Sequence, residues 1–329
     1  MPYRILQGGR RRRSRAWLAG LAALALALVA AVAPMHLGLE KTEPAATSRA
    51  KPPLDAAPAP LAGGGTAPTL LSVRLEDPRD AVALRFKRPP RSGLLFDLDT
   101  GQVLWRRDPT RVLPIASLTK MMTALVVAER VPPGAKVRIT REALSYRGSG
   151  VGMFRRGRRV GVNTMLHGLL LPSGNDAAIA LAQQAAGTVP RFVALMNAKA
   201  KALGLVCTRF SSPDGFRNRD NHSCTPDLAA LARALLREPR LARIVRRRQA
   251  ILPFPIKGGR IYLYNNNPLL RQGYKGTTGM KTGYTDAAGR CLVATARRGT
   301  IRLGVVLLHS PDPGTQARKL LDRGFRVAR

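Results

Sequence analysis

The sequence predicts an α/β domain of the α+β kind, with one sheet whose strands come from both ends of the folded region and helices inserted between them. Three observations carry this. Two short apolar runs, residues 93–97 and 102–105, are separated by Asp99-Thr100-Gly101, a hairpin signature. From residue 115 the apolar spacing becomes helical and stays so to about residue 237. After Gly279 it reverts to β-branched-rich runs broken by glycine or charge. Strands at both ends around a helical middle imply one sheet with edges distant in sequence.

The chain starts with an export signature. Arg4, Arg10, Arg11, Arg12, Arg13 and Arg15 precede residues 16–33, which are 18 uncharged residues, mostly Ala and Leu. A basic stretch followed by such a run is a signal sequence, and the positive-inside rule leaves residue 1 in the cytoplasm. Ala31 and Ala33 flank Val32 as a signal peptidase accepts, yet the run also nears the ~20 residues of a membrane span. Residues 1–39 therefore read as a signal peptide or a signal anchor. Either places the rest outside the cytoplasm, in the periplasm or on the outer face of the membrane. Residues 40–90 are rich in Pro, Ala and Gly and read as a linker, leaving 91–329 as the folded domain.

Within that domain, residues 115–129 put Met121, Met122, Leu125 and Val126 at helical spacing. Further helices are predicted over 166–171, 176–186, 193–203 and 227–237. Strands are predicted over 280–284, 291–296 and 303–308, with a closing helix at 316–324.

The 329 residues carry a net charge of +36 and are 45% hydrophobic, a globular composition. Residues 91–329 hold 41 basic against 13 acidic side chains, so the excess is not just a basic tail. Such a surface attracts polyanions, but no Gly-rich or aromatic-interleaved basic motif supports nucleic acid. His36, His167, His222, His309 and the three cysteines have no metal-ligand spacing, which argues against a zinc hydrolase.

Three short motifs carry chemistry. Ser117-Leu118-Thr119-Lys120 places a hydroxyl and an amine one helical turn apart, at a helix start where N–H groups stabilise developing negative charge. A desolvated lysine there can lose its proton and serve as the serine's base. Ser173-Gly174-Asn175 sits between two predicted helices, and Lys281-Thr282-Gly283 lies in a predicted strand, where Gly283 lets a ligand approach the backbone. Each alone is weak; the order S-x-x-K, S-G-N, K-T-G on helix start, loop and strand is far more specific.

With their surroundings, these motifs resemble the serine D-alanyl-D-alanine carboxypeptidases, the low-molecular-mass penicillin-binding proteins. The resemblance covers about residues 90–327, including 116–123 (ASLTKMMT), 173–177 (SGNDA), 196–210 (MNAKAKALGLVCTRF), 212–215 (SPDG) and 279–289 (GMKTGYTDAAG). It implies a β-lactamase/penicillin-binding-protein-like fold: an antiparallel sheet flanked by helices, an all-helical subdomain inserted, and the active site between them. It also implies removal of the terminal D-Ala from peptidoglycan stem peptides ending in D-Ala-D-Ala, covalent inhibition by β-lactams, and no cofactor or metal.

Carried over by position, Ser117 would be the nucleophile and Lys120 its general base. Ser173 would relay a proton to the leaving D-Ala nitrogen, and Asn175 would hold the substrate amide. Lys281 would supply positive charge near Ser173, Thr282 would bind the terminal carboxylate, and the N–H groups of Ser117 and Tyr284 would form the oxyanion hole. Relatives often carry His where this chain has Tyr284. They also often carry an arginine on the loop before the last helix, for which Arg318 is only an approximate match. The chain is expected to lack the β-rich second domain and C-terminal anchor of some relatives, leaving the N-terminal segment as its membrane tie.

Alternatives stay in view. A class A β-lactamase needs a glutamate for its deacylating water, and no E-x-x-x-N context occurs between Asn175 and Lys281, so slow release of a β-lactam adduct is expected. A D,D-endopeptidase of cross-bridges would use the same residues. An exported polyanion-binding module would explain the charge but leave three motifs as coincidence. Cys207 and Cys224, in an extracytoplasmic protein, are expected to form a disulfide, the alternative being two buried thiols; Cys291 reads as an inert core residue.

Overall fold

A computed structural model of the chain describes residues 71–76, 80–216, 220–256 and 258–328. The export segment expected at 1–39 and the linker up to residue 70 lie outside these. Among the described residues no helix is long and apolar enough to cross a membrane.

The sheet has five antiparallel strands: β1 (Ser92–Asp97), β2 (Val103–Arg107), β3 (Thr277–Thr285), β4 (Gly289–Arg298) and β5 (Ile301–Leu308). Their spatial order is β2-β1-β5-β4-β3, so the N-terminal hairpin pairs with the last strand. The longer helices inserted between β2 and β3 are α1 (Lys120–Arg130), α2 (Val162–Leu170), α3 (Asn175–Ala186), α4 (Val189–Ala202), α5 (Thr225–Arg237) and α6 (Pro239–Val245). The closing helix is α7 (Pro313–Val327).

Period-two alternation divides the sheet's side chains between two cores. Leu94, Phe96, Val293 and Val306 face the inserted helices. Leu95, Leu292, Val305 and Leu307 face Leu320, Leu321 and Phe325 of α7. Residues of β5 from Leu303 to Leu308 are all buried, which explains its unbroken apolar sequence. Helix α1 is buried from Lys120 through Val127 and so has almost no polar face.

Three features depart from the sequence reading. The stretch read as linker is docked in its described part. The Val82 N–H donates to Leu104 O at 2.8 Å, the Trp105 Nε1–H donates to Leu84 O at 3.0 Å, and Asp80 receives Arg106 Nε at 2.7 Å. Val73 and Val82 are buried. This segment covers the edge strand β2, so the folded unit starts ahead of residue 91. Second, α6 was not predicted, being short and arginine-rich. Third, Gln249–Pro253 and Arg260–Tyr264 form a hairpin, in a sequence where Pro253 and Pro255 argue against strands.

Cys207 and Cys224 are joined as a disulfide with Cα atoms 5.6 Å apart. The loop they close carries the turn 212–215, and Asp227 fixes its start by accepting from the Cys207 N–H and the Thr208 hydroxyl, both at 2.7 Å. A Cys207→Ser/Cys224→Ser double variant is expected to lose about 3 kcal/mol of stability through restored loop freedom in the unfolded chain. Urea denaturation with and without reductant checks this: a midpoint indifferent to reductant in the wild type would refute it.

Candidate active site

The three motifs converge where α1, the start of α3 and strand β3 meet. Residues Ala116–Thr119 form a 3₁₀ turn leading into α1. Three residues per turn eclipse positions i and i+3, so Lys120 stands directly over Ser117. Its Nζ lies 2.8 Å from Ser117 Oγ, 2.7 Å from Asn175 Oδ1 and 2.6 Å from Asp214 O. Lys120 is fully buried, and that desolvation lowers its pKa to about 8 against the opposing pull of Asp214 and Asp176.

The hydrogen-bond inventory fixes what deprotonation does. Asn175 Oδ1 and Asp214 O can only accept, so they hold two N–H bonds of Lys120 in either charge state. A neutral amine keeps two N–H bonds and gains a lone pair, and that lone pair faces Ser117. The Ser117 hydroxyl then becomes the donor, which is the geometry of an activated nucleophile.

On the other side, Lys281 of β3 donates to Ser173 Oγ at 2.9 Å and to Thr282 O at 2.7 Å. Burial, then the nearby Lys120, pushes the Lys281 pKa well below its ordinary range. Ser173 has a positive φ of 70° in the bend before α3. The Gly174 N–H donates to Gly168 O at 2.9 Å, which anchors that bend.

Two glycines permit this closeness. A Cβ on Gly283 would lie 3.0 Å from Ile115 O and 3.1 Å from Ser117 N, so β3 runs tight against the nucleophile's turn. A Cβ on Gly215 would lie 2.0 Å from Ala116 O, so the 212–215 turn seats directly behind Ser117. That turn supplies Asp214 O to Lys120, and Pro213 O accepts from Thr123 Oγ1 at 2.6 Å.

The structure thus brings together Ser117, Lys120, Ser173, Asn175, Lys281 and, through its backbone, Gly283. Thr282 and Tyr284 point to the other sheet face, since they pair with Leu292 and Arg290 of β4. Asn175 is expected from the resemblance to hold the substrate amide. Its Oδ1 accepts from Lys120 and its Nδ2 donates to Arg147 O at 2.5 Å, which holds Lys120 in place and leaves one acceptor and one donor position of the amide for the substrate expected there. Arg290 sits opposite Tyr284 in the strand register, and its Nη1 donates to Pro311 O at 3.0 Å, on the loop before α7. One arginine among 44 gives no signal in sequence; only the strand register reveals it.

Asp176 was also missed. Its carboxylate accepts from the N–H groups of Val151 (2.9 Å), Gly152 (3.0 Å) and Ala177 (2.8 Å), tying the 147–152 loop to α3. Burial raises its pKa against those donors. The described residues bring one trio of metal-type ligands together, Cys207, Cys224 and Asp227, but its sulfurs are bonded to each other.

Known proteins resemble the chain in sequence and in fold. The sequence profile described as D-alanyl-D-alanine carboxypeptidase matches residues 87–312. D-alanyl-D-alanine carboxypeptidase DacF of Bacillus subtilis is 35% identical over 243 residues, covering 71% of this chain; the chain spans 62% of that protein's length. A D-alanyl-D-alanine endopeptidase of Pseudomonas aeruginosa is 34% identical over 257 residues, 75% of this chain and 82% of its own length. The crystal structure of a D-alanyl-D-alanine carboxypeptidase from Mycobacterium tuberculosis superposes with a TM-score of 0.69 at 34% identity, covering 74% of this chain and 94% of that one. With its profile match over most of the domain and its serine, lysine and asparagine in one buried network, the chain belongs to the D-alanyl-D-alanine carboxypeptidase family of serine peptidases.

Proposed function

We propose that the chain is a serine-type D-alanyl-D-alanine carboxypeptidase. It acts outside the cytoplasm and removes the terminal D-Ala from peptidoglycan stem peptides. The reaction passes through a Ser117 acyl-enzyme, which β-lactams trap. The export signature of residues 1–39 supports the compartment, by cleavage or by anchoring. The observation that carries the reaction is the fully buried Lys120 amine, 2.8 Å from Ser117 Oγ and with a pKa lowered to about 8.

In this reading neutral Lys120 takes the Ser117 proton as Oγ attacks the penultimate D-Ala carbonyl. The oxyanion forms between the N–H groups of Ser117 and Tyr284, which the Gly283 contact brings close together. Ser173, held by Lys281, passes a proton to the departing amine. Thr282 and Arg290 share a sheet face and receive the terminal carboxylate. An anion there favours the protonated form of Lys281, which burial alone disfavours. Cross-bridge cleavage would use the same residues; the carboxypeptidase reading is preferred because the matching profile and the Bacillus relative carry that name.

Intact-mass spectrometry after benzylpenicillin treatment is expected to show one persistent adduct per chain, mapping to the peptide containing Ser117. The same preparation is expected to release D-alanine from a pentapeptide ending in D-Ala-D-Ala. Absence of both signals from folded protein would overturn the reading.

A further inference from the structure

Charge is not spread evenly over the domain. Residues 143–175 and 239–285 contain five and ten basic side chains and no acidic one, so all 13 acids of residues 91–329 lie elsewhere. The fold packs these two stretches together. The Phe154 and Phe254 rings meet with centroids 5.6 Å apart, and the Thr164 hydroxyl donates to Pro253 O at 3.1 Å. Exposed Arg155 and Arg156 follow Phe154 directly, while exposed Arg260 pairs with Pro253, the neighbour of Phe254. Among the described residues none of these three arginines forms an ion pair. Cations from both stretches therefore meet at one patch, and neither stretch has a carboxylate to offset them.

The hairpin of Gln249–Pro253 and Arg260–Tyr264 adds apolar surface to this patch. Its alternation turns Ala250, Ile261 and Leu263 into the core and leaves Ile251, Tyr262 and Tyr264 outside. Ile251 stands directly opposite Tyr262 in the register. Ile251 is 49% exposed, and both tyrosines are 59% exposed. Solubility alone favours polar residues at such positions. An exposed apolar group rimmed by cations marks an interaction surface.

We propose that this face docks on the surface of an anionic lipid bilayer. A dissolved anionic polymer would engage the arginines but gain little from Ile251. A bilayer surface uses both kinds of side chain. Lipid phosphates match the planar guanidinium groups, and the boundary between headgroups and acyl chains suits tyrosine rings with a neighbouring isoleucine. The anionic surface also attracts the uncompensated charge over a Debye length. The hairpin leads into Asn266, whose Nδ2 donates to Pro172 O at 3.1 Å, one residue before Ser173. Docking therefore sets the attitude of the catalytic cleft to the membrane. The inference concerns where the enzyme works and does not depend on which peptide bond it cuts.

The test uses the full chain carrying Tyr262→Trp, added to vesicles whose acyl chains are brominated near the headgroups. Subtracting the wild-type emission, which comes from Trp17 and Trp105, isolates the signal of position 262. The N-terminal segment is common to every sample, so any contact it makes cancels. Quenching is expected with equimolar phosphatidylglycerol and phosphatidylcholine, and neither with phosphatidylcholine alone nor at high salt. Arg156→Gln and Arg260→Gln are each expected to lower the ratio of docked to undocked domain about fivefold. Both variants are expected to form the benzylpenicillin adduct at the wild-type rate, which keeps failure of docking distinct from failure of the carboxypeptidase reading. Absence of quenching with phosphatidylglycerol, equal quenching with phosphatidylcholine alone, or indifference to both arginine variants would overturn the proposal. So would a polyglycerol phosphate that shields position 262 from iodide where the vesicles do not, since the partner would then be a polymer.

Discussion

Lys120→Met is expected to lower the second-order rate of benzylpenicillin acylation by about 10²- to 10⁴-fold, the range of a lost general base, and so to approach the floor set by Ser117→Ala. Methionine keeps the bulk of the buried stem but has no lone pair directed at Ser117 Oγ. It also leaves Asn175 Oδ1 and Asp214 O without their donor. Lys120→Arg is expected to be no better, because a guanidinium stays protonated and cannot accept a proton. Stopped-flow acylation with mass detection of the adduct measures all three; acylation by Lys120→Met within tenfold of wild type would remove Lys120 as the base.

The same residue sets two pH dependences. The wild-type acylation rate is expected to rise with pH through about 8, the value to which burial lowers Lys120, and to level above it. Stability should follow with the same sign. The folded-state value lies below the ordinary 10.5, so between about 8 and 10.5 the unfolded chain binds more protons than the folded one. Stability therefore increases with pH across that window and is complete above it. Lys281 is shifted in the same direction and adds to the slope. Lys120→Met is expected to flatten the rise in urea midpoint across that window, leaving the part due to Lys281.

Much of this site is legible before any coordinates, because the chemistry depends on residue types at short spacing. Ser117 and Lys120 are three apart, and one tight turn makes three residues a full revolution. Strand β3 shows itself through β-branching and glycine, and the burial of both sheet faces explains the apolar runs of β4 and β5. What sequence hides is set by register and by backbone. Asp214 contributes through its carbonyl oxygen, which any residue possesses. Arg290 gains its place only by pairing with Tyr284. Asn175 also holds the 147–152 loop through Arg147 O, a backbone partner that no side-chain pattern announces. The segment ahead of residue 91 docks through backbone bonds and a short apolar alternation, Val82, Leu84 and Phe86 on the second core, that its Pro, Arg and Lys neighbours make inconspicuous in sequence.

Gly215→Ala is expected to cost about 4 kcal/mol of stability and about 100-fold in acylation rate, although residue 215 has no side chain to lose. Two penalties combine. Its φ of +75° is a conformation that a Cβ disfavours, worth about 1–3 kcal/mol. The new Cβ would also stand 2.0 Å from Ala116 O and 2.6 Å from Ala116 C, backbone atoms of the nucleophile's own turn. Relief requires the 212–215 turn to retreat, and Asp214 O, 2.6 Å from Lys120 Nζ, retreats with it. A displacement of about 1 Å at a reacting group can cost 10²-fold. Gly157→Ala separates the two penalties: Gly157 has a φ of +78°, but a Cβ there meets nothing within 4 Å. It should therefore show the conformational cost alone and acylate at the wild-type rate. If thermal denaturation found the two variants equally stable, or if Gly215→Ala acylated normally, the 212–215 turn would not be what holds Lys120 against Ser117.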